Sequence, residues 1–100
     1  MDKKQAWLQL VREKSEHYLN LHDGGFDEKM QARLVDCDYE AQTVTYAFPT
    51  QTWHINEKGG IHGGAIAGMF DTAFGVVANF TAGDNEATTT DMTVSFLRGV

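Results

Sequence analysis

The stretch HGGAIAGMFDTAFGVVANF, His62 to Phe80, decides how this chain is read. From Ala65 to about Phe80 it carries a helix pattern that is apolar on nearly every side: Ile66, Met69, Phe70, Ala73, Phe74, Val76, Val77 and Phe80 are spread round the axis. Such a helix is built for the inside of a protein. At about 1.5 Å per residue it runs about 24 Å, close to the width of a small domain. One charged residue stands between Lys58 and Asp84, and it is Asp71. Its helical neighbours three and four residues away, Ala67, Gly68, Phe74 and Gly75, cannot pair with it. Burying an unpaired carboxylate is costly, so Asp71 either points out through a gap, bonds a distant backbone amide, or is held for chemistry.

Gly63 and Gly64 stand at the start of this helix, where backbone amides lack partners and align with the positive end of the helix dipole. Those donors suit an anion or a polarised carbonyl oxygen, and glycine lets a ligand come close. A glycine pair alone is an ordinary loop-to-helix junction; with an isolated acid one element later it suggests a base or nucleophile working with an oxyanion site. Gly63 and Asp71 are eight residues apart, roughly 12 Å along one helix. One reacting carbonyl cannot touch both from the same helix. Two such helices packed antiparallel about a two-fold axis bring Gly63 of one copy to Asp71 of the other, so the expected site is shared between subunits.

Working outward, Ala82 to Asn85 stops the helix, and Thr88 to Leu97 alternates, with Met92, Val94 and Phe96 on one face and Thr89, Asp91, Thr93 and Ser95 on the other. Before the helix, Gln51 to Gly60 reads as a loop. Earlier still, Met30, Ala32 and Leu34, then Val44, Tyr46 and Phe48, predict two strands of a hairpin, with Pro49 near the end of the second. Residues 2–20 predict an N-terminal helix capped by Asp2, with Trp7, Leu10, Val11, Tyr18 and Leu21 roughly on one side, a stripe broken by Lys14 and Ser15. His22 to Gly25 ends it.

The whole chain is 100 residues, 42% hydrophobic and 22% charged, which fits one domain with one core and excludes a disordered tail. Its net charge of −6 argues against a basic nucleic-acid binder. The single cysteine, Cys37, closes no intrachain disulfide, and no Cys/His cluster supplies four metal ligands. The first residues, MDKKQAW, lack the apolar core of a signal peptide, and the Gly-rich stretch around Asp71 does not read as a membrane span. A cytoplasmic protein with no membrane partner is the expectation.

Three segments together resemble a known family. Asn56-Glu57-Lys58-Gly59-Gly60-Ile61-His62-Gly63-Gly64, then Met69-Phe70-Asp71-Thr72-Ala73, then Thr89-Thr90-Asp91-Met92-Thr93-Val94-Ser95-Phe96-Leu97-Arg98 are similar to the hotdog-fold acyl-CoA thioesterases of the phenylacetic-acid-degradation type, within the 4-hydroxybenzoyl-CoA thioesterase superfamily. The likeness covers about residues 30–100 and is densest from Asn56 onward. It implies an α+β hotdog fold, an antiparallel sheet wrapped around a long central helix, in homodimers or homotetramers. It implies hydrolysis of an aryl or medium-chain acyl-CoA, with coenzyme A as part of the substrate and no separate cofactor or metal. By resemblance, the Gly63 amide holds the thioester carbonyl, and Asp71 of the other subunit is general base or nucleophile. Asn56 and His62 orient the loop and the carbonyl or water, and Thr89 hydrogen-bonds near the water or Asp71. Gly64, Thr90 and Arg98 fall on the substrate side, and Arg98 and Lys58 are the nearby cations for the phosphates.

Relatives of this type run on for several strands past the segment that ends Phe96-Leu97-Arg98, so the core at 30–100 is expected to lack its C-terminal strands and to leave the helix partly uncovered. An inactive truncated fragment is one alternative expectation, and two other functions compete. A non-catalytic acyl-CoA-binding or oligomerisation module binds the ester without releasing thiol. A hotdog dehydratase or hydratase uses His and acid motifs spaced differently, and the Gly-Gly after His62 fits a thioesterase better.

Overall fold

A computed structural model describes residues 2–81 and 88–100. The expected helix stop at 82–85 lies outside the described residues. Helix α1 covers Lys3–Leu19, α2 Phe26–Met30, strand β1 Arg33–Asp38, β2 Thr43–Ala47, and α3 Gly63–Thr81, with a 3-10 turn at Thr52–His54 before α3. The architecture is mixed α and β, a two-stranded antiparallel sheet with a long helix, consistent with part of a hotdog fold.

Helix α1 starts where its cap predicts: the Asp2 carboxylate accepts the Gln5 amide at 2.8 Å. Its buried residues are Val11, Ser15 and Leu19, one turn apart each. Ser15, expected to break the apolar stripe, instead lies inside it, because its hydroxyl and that of Tyr46 on β2 satisfy each other at 2.8 Å.

The first predicted strand begins too early. Met30 is the last residue of α2 and fully buried, and the strand runs from Arg33. Helix α1 stops earlier than the glycine pair, at Leu19 with Asn20 as its cap, and the pair instead opens a second helix. The Asp23 carboxylate accepts the Gly25 amide at 2.8 Å, Gly24 takes φ +72°, and Asp27 and Glu28 then occupy the favourable first turn. Gln31, with φ 56°, turns the chain into β1.

Strands β1 and β2 pair antiparallel with Leu34 opposite Tyr46 and Cys37 opposite Val44, and the register shifts between Leu34 and Asp36. Val35 is the exposed extra residue of that bulge. Asp38 accepts the Ala41 amide and Gln42 takes φ 55°, which closes the turn. The inner face, Leu34, Cys37, Val44, Tyr46 and Phe48, packs with Trp7, Leu10 and Tyr18 on a core of Val11, Leu19, Ala32, Val76 and Phe80. Burial pushes the Tyr46 phenol above its usual range, against the pull of the Ser15 hydrogen bond.

The core therefore grips α3 along one side, near its C-terminal end. Phe70, Phe74 and Val77 are exposed, although the helix reads as greasy all round. Phe70 and Phe74 stack at 5.7 Å beside a groove of about 350 Å³ that they share with Val44, Tyr46 and Phe48. Two strands and α1 are too little surface to enclose a helix of this length, and a full wrapping sheet is not what the described residues form. No helix among them is long and apolar enough to cross a membrane.

Residues 88–100 carry no strand, although their alternation predicts one. A strand needs a neighbour to ladder with, and among the described residues none runs beside this segment. It returns along α3 instead: Thr89 reaches Asp71, the Phe96 ring lies against Gly63, and the Val100 carbonyl accepts the Ile61 amide at 2.8 Å.

Candidate functional site

The approach to α3 is a folded loop. Gln51 donates its side-chain amide to the Lys29 carbonyl at 2.8 Å and accepts from the Trp53 indole at 3.0 Å. His54 is fully buried, and its Nδ1 accepts the Gln51 amide at 3.2 Å, which leaves the proton on Nε2. Nε2 has no partner among the described residues. The His54 carbonyl accepts the His62 amide at 2.6 Å, and Ile55 and Ile61 form an antiparallel bridge. These bonds hold the two ends of the loop together.

Asn56 closes the loop from within. Its Oδ1 accepts both the Lys58 amide at 2.9 Å and the Gly60 amide at 3.0 Å, while Gly59 supplies a φ of +82° that a side chain would strain. That oxygen is spent on shaping the turn. Lys58 is exposed at its tip.

His62 caps α3. Its carbonyl accepts the Ala65 and Ile66 amides at 3.0 and 3.2 Å, and its Nδ1 accepts the Gly64 amide at 2.9 Å. A Cβ on Gly64 would stand 3.0 Å from that Nδ1, so the second glycine makes room for the imidazole. One of the two amides expected to face a ligand is thus taken by the histidine before it. The Gly63 amide has no partner among the described residues, as an orphan donor of a first helical turn. A Cβ on Gly63 would meet the Phe96 ring at 3.1 Å.

Asp71 is exposed in the single chain, whereas its apolar surroundings in sequence suggest burial. Helical rotation places it about 140° from Val76 and about 180° from Phe80, so the core grips the far side. It is not unpaired: Thr89 donates its hydroxyl to Asp71 Oδ1 at 2.6 Å. The next residue, Thr72, is buried and donates to Asp27 Oδ1 of α2 at 2.8 Å. Asp27, Asp71, Thr72 and Thr89 line one cavity of about 210 Å³ with Tyr18 and Asn79. Neither Asp27 nor His54 stands out in the sequence as a candidate. Nothing local marks Asp27, whose partner lies 45 residues away.

Within one chain the candidates form two clusters, then. Asn56, His62, Gly63 and Gly64 build the N-terminal end of α3; Asp71 and Thr89 meet further along it. Thr90 and Arg98 are exposed on the returning segment. No group of three or more potential metal ligands gathers among the described residues.

Residues 58–100 match the family model described as Thioesterase superfamily, somewhat less than half of the chain. The matched span contains the His62 cap, Gly63, Asp71 and Thr89, and it begins after Asn56. No curated protein and no solved structure matches the chain. The match supports the thioesterase superfamily and suggests thioester hydrolysis as the chemistry of this region.

Proposed function

We propose that the chain is an acyl-CoA thioesterase of the phenylacetic-acid-degradation type, acting on an aryl or medium-chain acyl-CoA at sites shared between two copies. The observation that carries this is the pair of groups that α3 presents, one at its N-terminus and one midway along it. A helix-terminal amide at Gly63 is left open while His62 takes Gly64, and eight residues on a carboxylate is oriented by the Thr89 hydroxyl.

In this reading the thioester carbonyl oxygen lies against the Gly63 amide of one copy, where the helix dipole favours the charge that develops on it. Asp71 of the other copy has Oδ1 engaged by Thr89, which leaves Oδ2 to act as the base. It takes a proton from water as the water oxygen bonds the carbonyl carbon; the tetrahedral intermediate collapses, breaks the C–S bond and expels coenzyme A as thiolate. Direct attack by Asp71 would instead expel coenzyme A thiolate and give an acyl anhydride, and only water that cleaves this at the Asp71 carbonyl carbon puts solvent oxygen into Asp71, so label in Asp71 after a single turnover in oxygen-labelled water would identify that route. Asn56 and His62 act by holding the loop and the helix start. Lys58 and Arg98, both exposed, are the cations offered to the phosphates of a ligand that a chain of net charge −6 otherwise repels. No cofactor beyond the substrate's own coenzyme A is invoked.

The test is thiol release from benzoyl-CoA and hexanoyl-CoA, with wild type against Asp71→Asn. Because Asp71 is exposed, the variant is expected to fold as wild type and to lose roughly 100-fold or more in turnover. Equal turnover removes Asp71 from the chemistry. Saturable binding of the esters with no thiol released replaces the hydrolase by an acyl-CoA-binding module.

A further inference from the structure

Thr72 follows Asp71 on α3 and is 6% exposed. A threonine inside a helix commonly returns its hydroxyl to a carbonyl one turn back. This one donates instead to Asp27 Oδ1 at 2.8 Å, a bond that crosses 45 residues of sequence. Asp27 is well placed to serve as a fixed reference, because α2 is pinned on both sides of it. The Phe26 ring lies so close over Gly68, one turn before Thr72, that a Cβ there would stand 2.5 Å from it. Lys29 on the other side takes the Gln51 side-chain amide at 2.8 Å, which ties α2 to the loop leading into His62. One short helix thus contacts both the start of the His62 loop and α3 beside Asp71, and the carboxylates of Asp27 and Asp71 line the same cavity.

We propose that Asp27 is a positioning residue for Asp71, acting through Thr72. The Asp27–Thr72 bond sets the rotation of α3 about its own axis at this turn, and with it the direction in which the Asp71 carboxylate meets Thr89 and the substrate. The inference rests on the reading of Asp71 as base or nucleophile. Its physical basis is the steep dependence of rate on alignment, where a displacement near 1 Å can cost about 100-fold. The bond requires an acceptor oxygen at 27 and a hydroxyl at 72, so it depends on geometry rather than on the charge of Asp27.

The experiment measures kcat and KM on benzoyl-CoA and hexanoyl-CoA for Thr72→Val, Thr72→Ser, Asp27→Ala and Asp27→Asn, with circular dichroism and melting temperature verifying the fold. Thr72→Val and Asp27→Ala are each expected to lower kcat roughly tenfold, with KM changed less than about twofold. Thr72→Ser, which keeps the hydroxyl, and Asp27→Asn, which keeps an acceptor, are expected to stay near wild type. Should Asp27→Ala fail to fold, the near-isosteric Thr72→Val and its serine counterpart decide alone. Serine and valine variants with equal kcat, or a rise in KM at unchanged kcat, overturn the inference. If turnover depends on Asp71 but ignores Thr72→Val and Asp27→Ala, this inference falls and the function stands. If Asp71→Asn leaves turnover intact, the reading of the site falls, and the inference with it.

Discussion

The Thr89 hydroxyl donates to the Asp71 carboxylate at 2.6 Å, joining the segment that returns along α3 to the middle of that helix. This single bond does two things. It gives an exposed carboxylate, isolated from other charges in sequence, a defined partner, and it engages one oxygen of that carboxylate. The same returning segment lays Phe96 against Gly63, so both ends of the proposed chemistry touch residues 88–100.

If Thr89 acts by holding the carboxylate, the hydroxyl is what matters. Thr89→Val is expected to lower kcat roughly tenfold, in the range of a lost orienting contact. Thr89→Ser is expected to retain most of it. Steady-state kinetics on the two CoA esters checks this, and equal rates in all three proteins would reduce Thr89 to a surface threonine.

A proline at Gly63 removes the proposed oxyanion donor without removing the helix. Gly63 is the first residue of α3, its amide bonds nothing among the described residues, and the first helical position is where proline is best tolerated. The half-exposed Phe96 ring must give by a few tenths of an ångström. Gly63→Pro is expected to keep helix content by circular dichroism and to lose roughly 100-fold or more in kcat, as oxyanion donors do. Refolding it in equal amounts with Asp71→Asn places one intact site in each mixed dimer. Recovery of about a quarter of wild-type activity is then expected. No recovery on mixing would show that Gly63 and Asp71 do not meet across subunits.

How far these elements are legible in sequence depends on how local their causes are. Helix α1 and its Asp2 cap, β2 and α3 follow from nearby residues, and they sit where periodicity and capping place them. The spacing of Met30, Ala32 and Leu34 misleads, because a helix end followed by a buried alanine satisfies the same alternation as a strand. Ser15 looks like a break in a stripe until Tyr46, 31 residues away, supplies its partner. The pattern of 88–97 describes a face, but a strand also needs a neighbour. At the candidate site, the place of Gly63 at the start of α3 and the isolation of Asp71 among uncharged residues are legible from residue type and spacing, while a role for His62 enters only through the resemblance. The occupation of the Gly64 amide by His62, the Thr72 bond to Asp27 and the exposure of Asp71 depend on three-dimensional contacts.

Burial of the Tyr46 phenol predicts an alkaline weakness. Its folded-state pKa is raised, by desolvation first, so folding favours the neutral form. The stability tied to that form is fully present below the unfolded tyrosine value of about 10 and is lost as pH rises through the folded value. Tyr46→Phe removes the ionisation but leaves the buried Ser15 hydroxyl without its partner, at a cost of about 1 kcal/mol near neutrality. The variant is therefore expected to melt lower than wild type near neutral pH and to lose less on going above about pH 10. Melting curves across that range check it, and parallel losses in the two proteins would show that another group governs the alkaline limb.

Two glycines of α3 should respond in opposite ways to alanine. Gly75 has open space where a Cβ would go, so Gly75→Ala trades a flexible residue for the best helix former and is expected to stabilise by about 1 kcal/mol. For a chain of this length that is a rise in melting temperature of roughly 4–8 °C. Gly68 is also interior to the helix, but the Phe26 ring fills its Cβ position at 2.5 Å. Gly68→Ala must push that ring off the helix and disturb its near-perpendicular contact with the Trp53 ring, whose centroid is 6.4 Å away. Strain of this kind costs about 1–3 kcal/mol, which outweighs the propensity gain. The expected result is a lower melting temperature, with α2 loosened. Hydrogen exchange of residues 26–30 would register this as faster exchange in Gly68→Ala and unchanged exchange in Gly75→Ala. A stabilised Gly68→Ala would mean that Phe26 does not rest on α3 in solution, and the anchoring of Asp27 beside Thr72 would lose one of its supports.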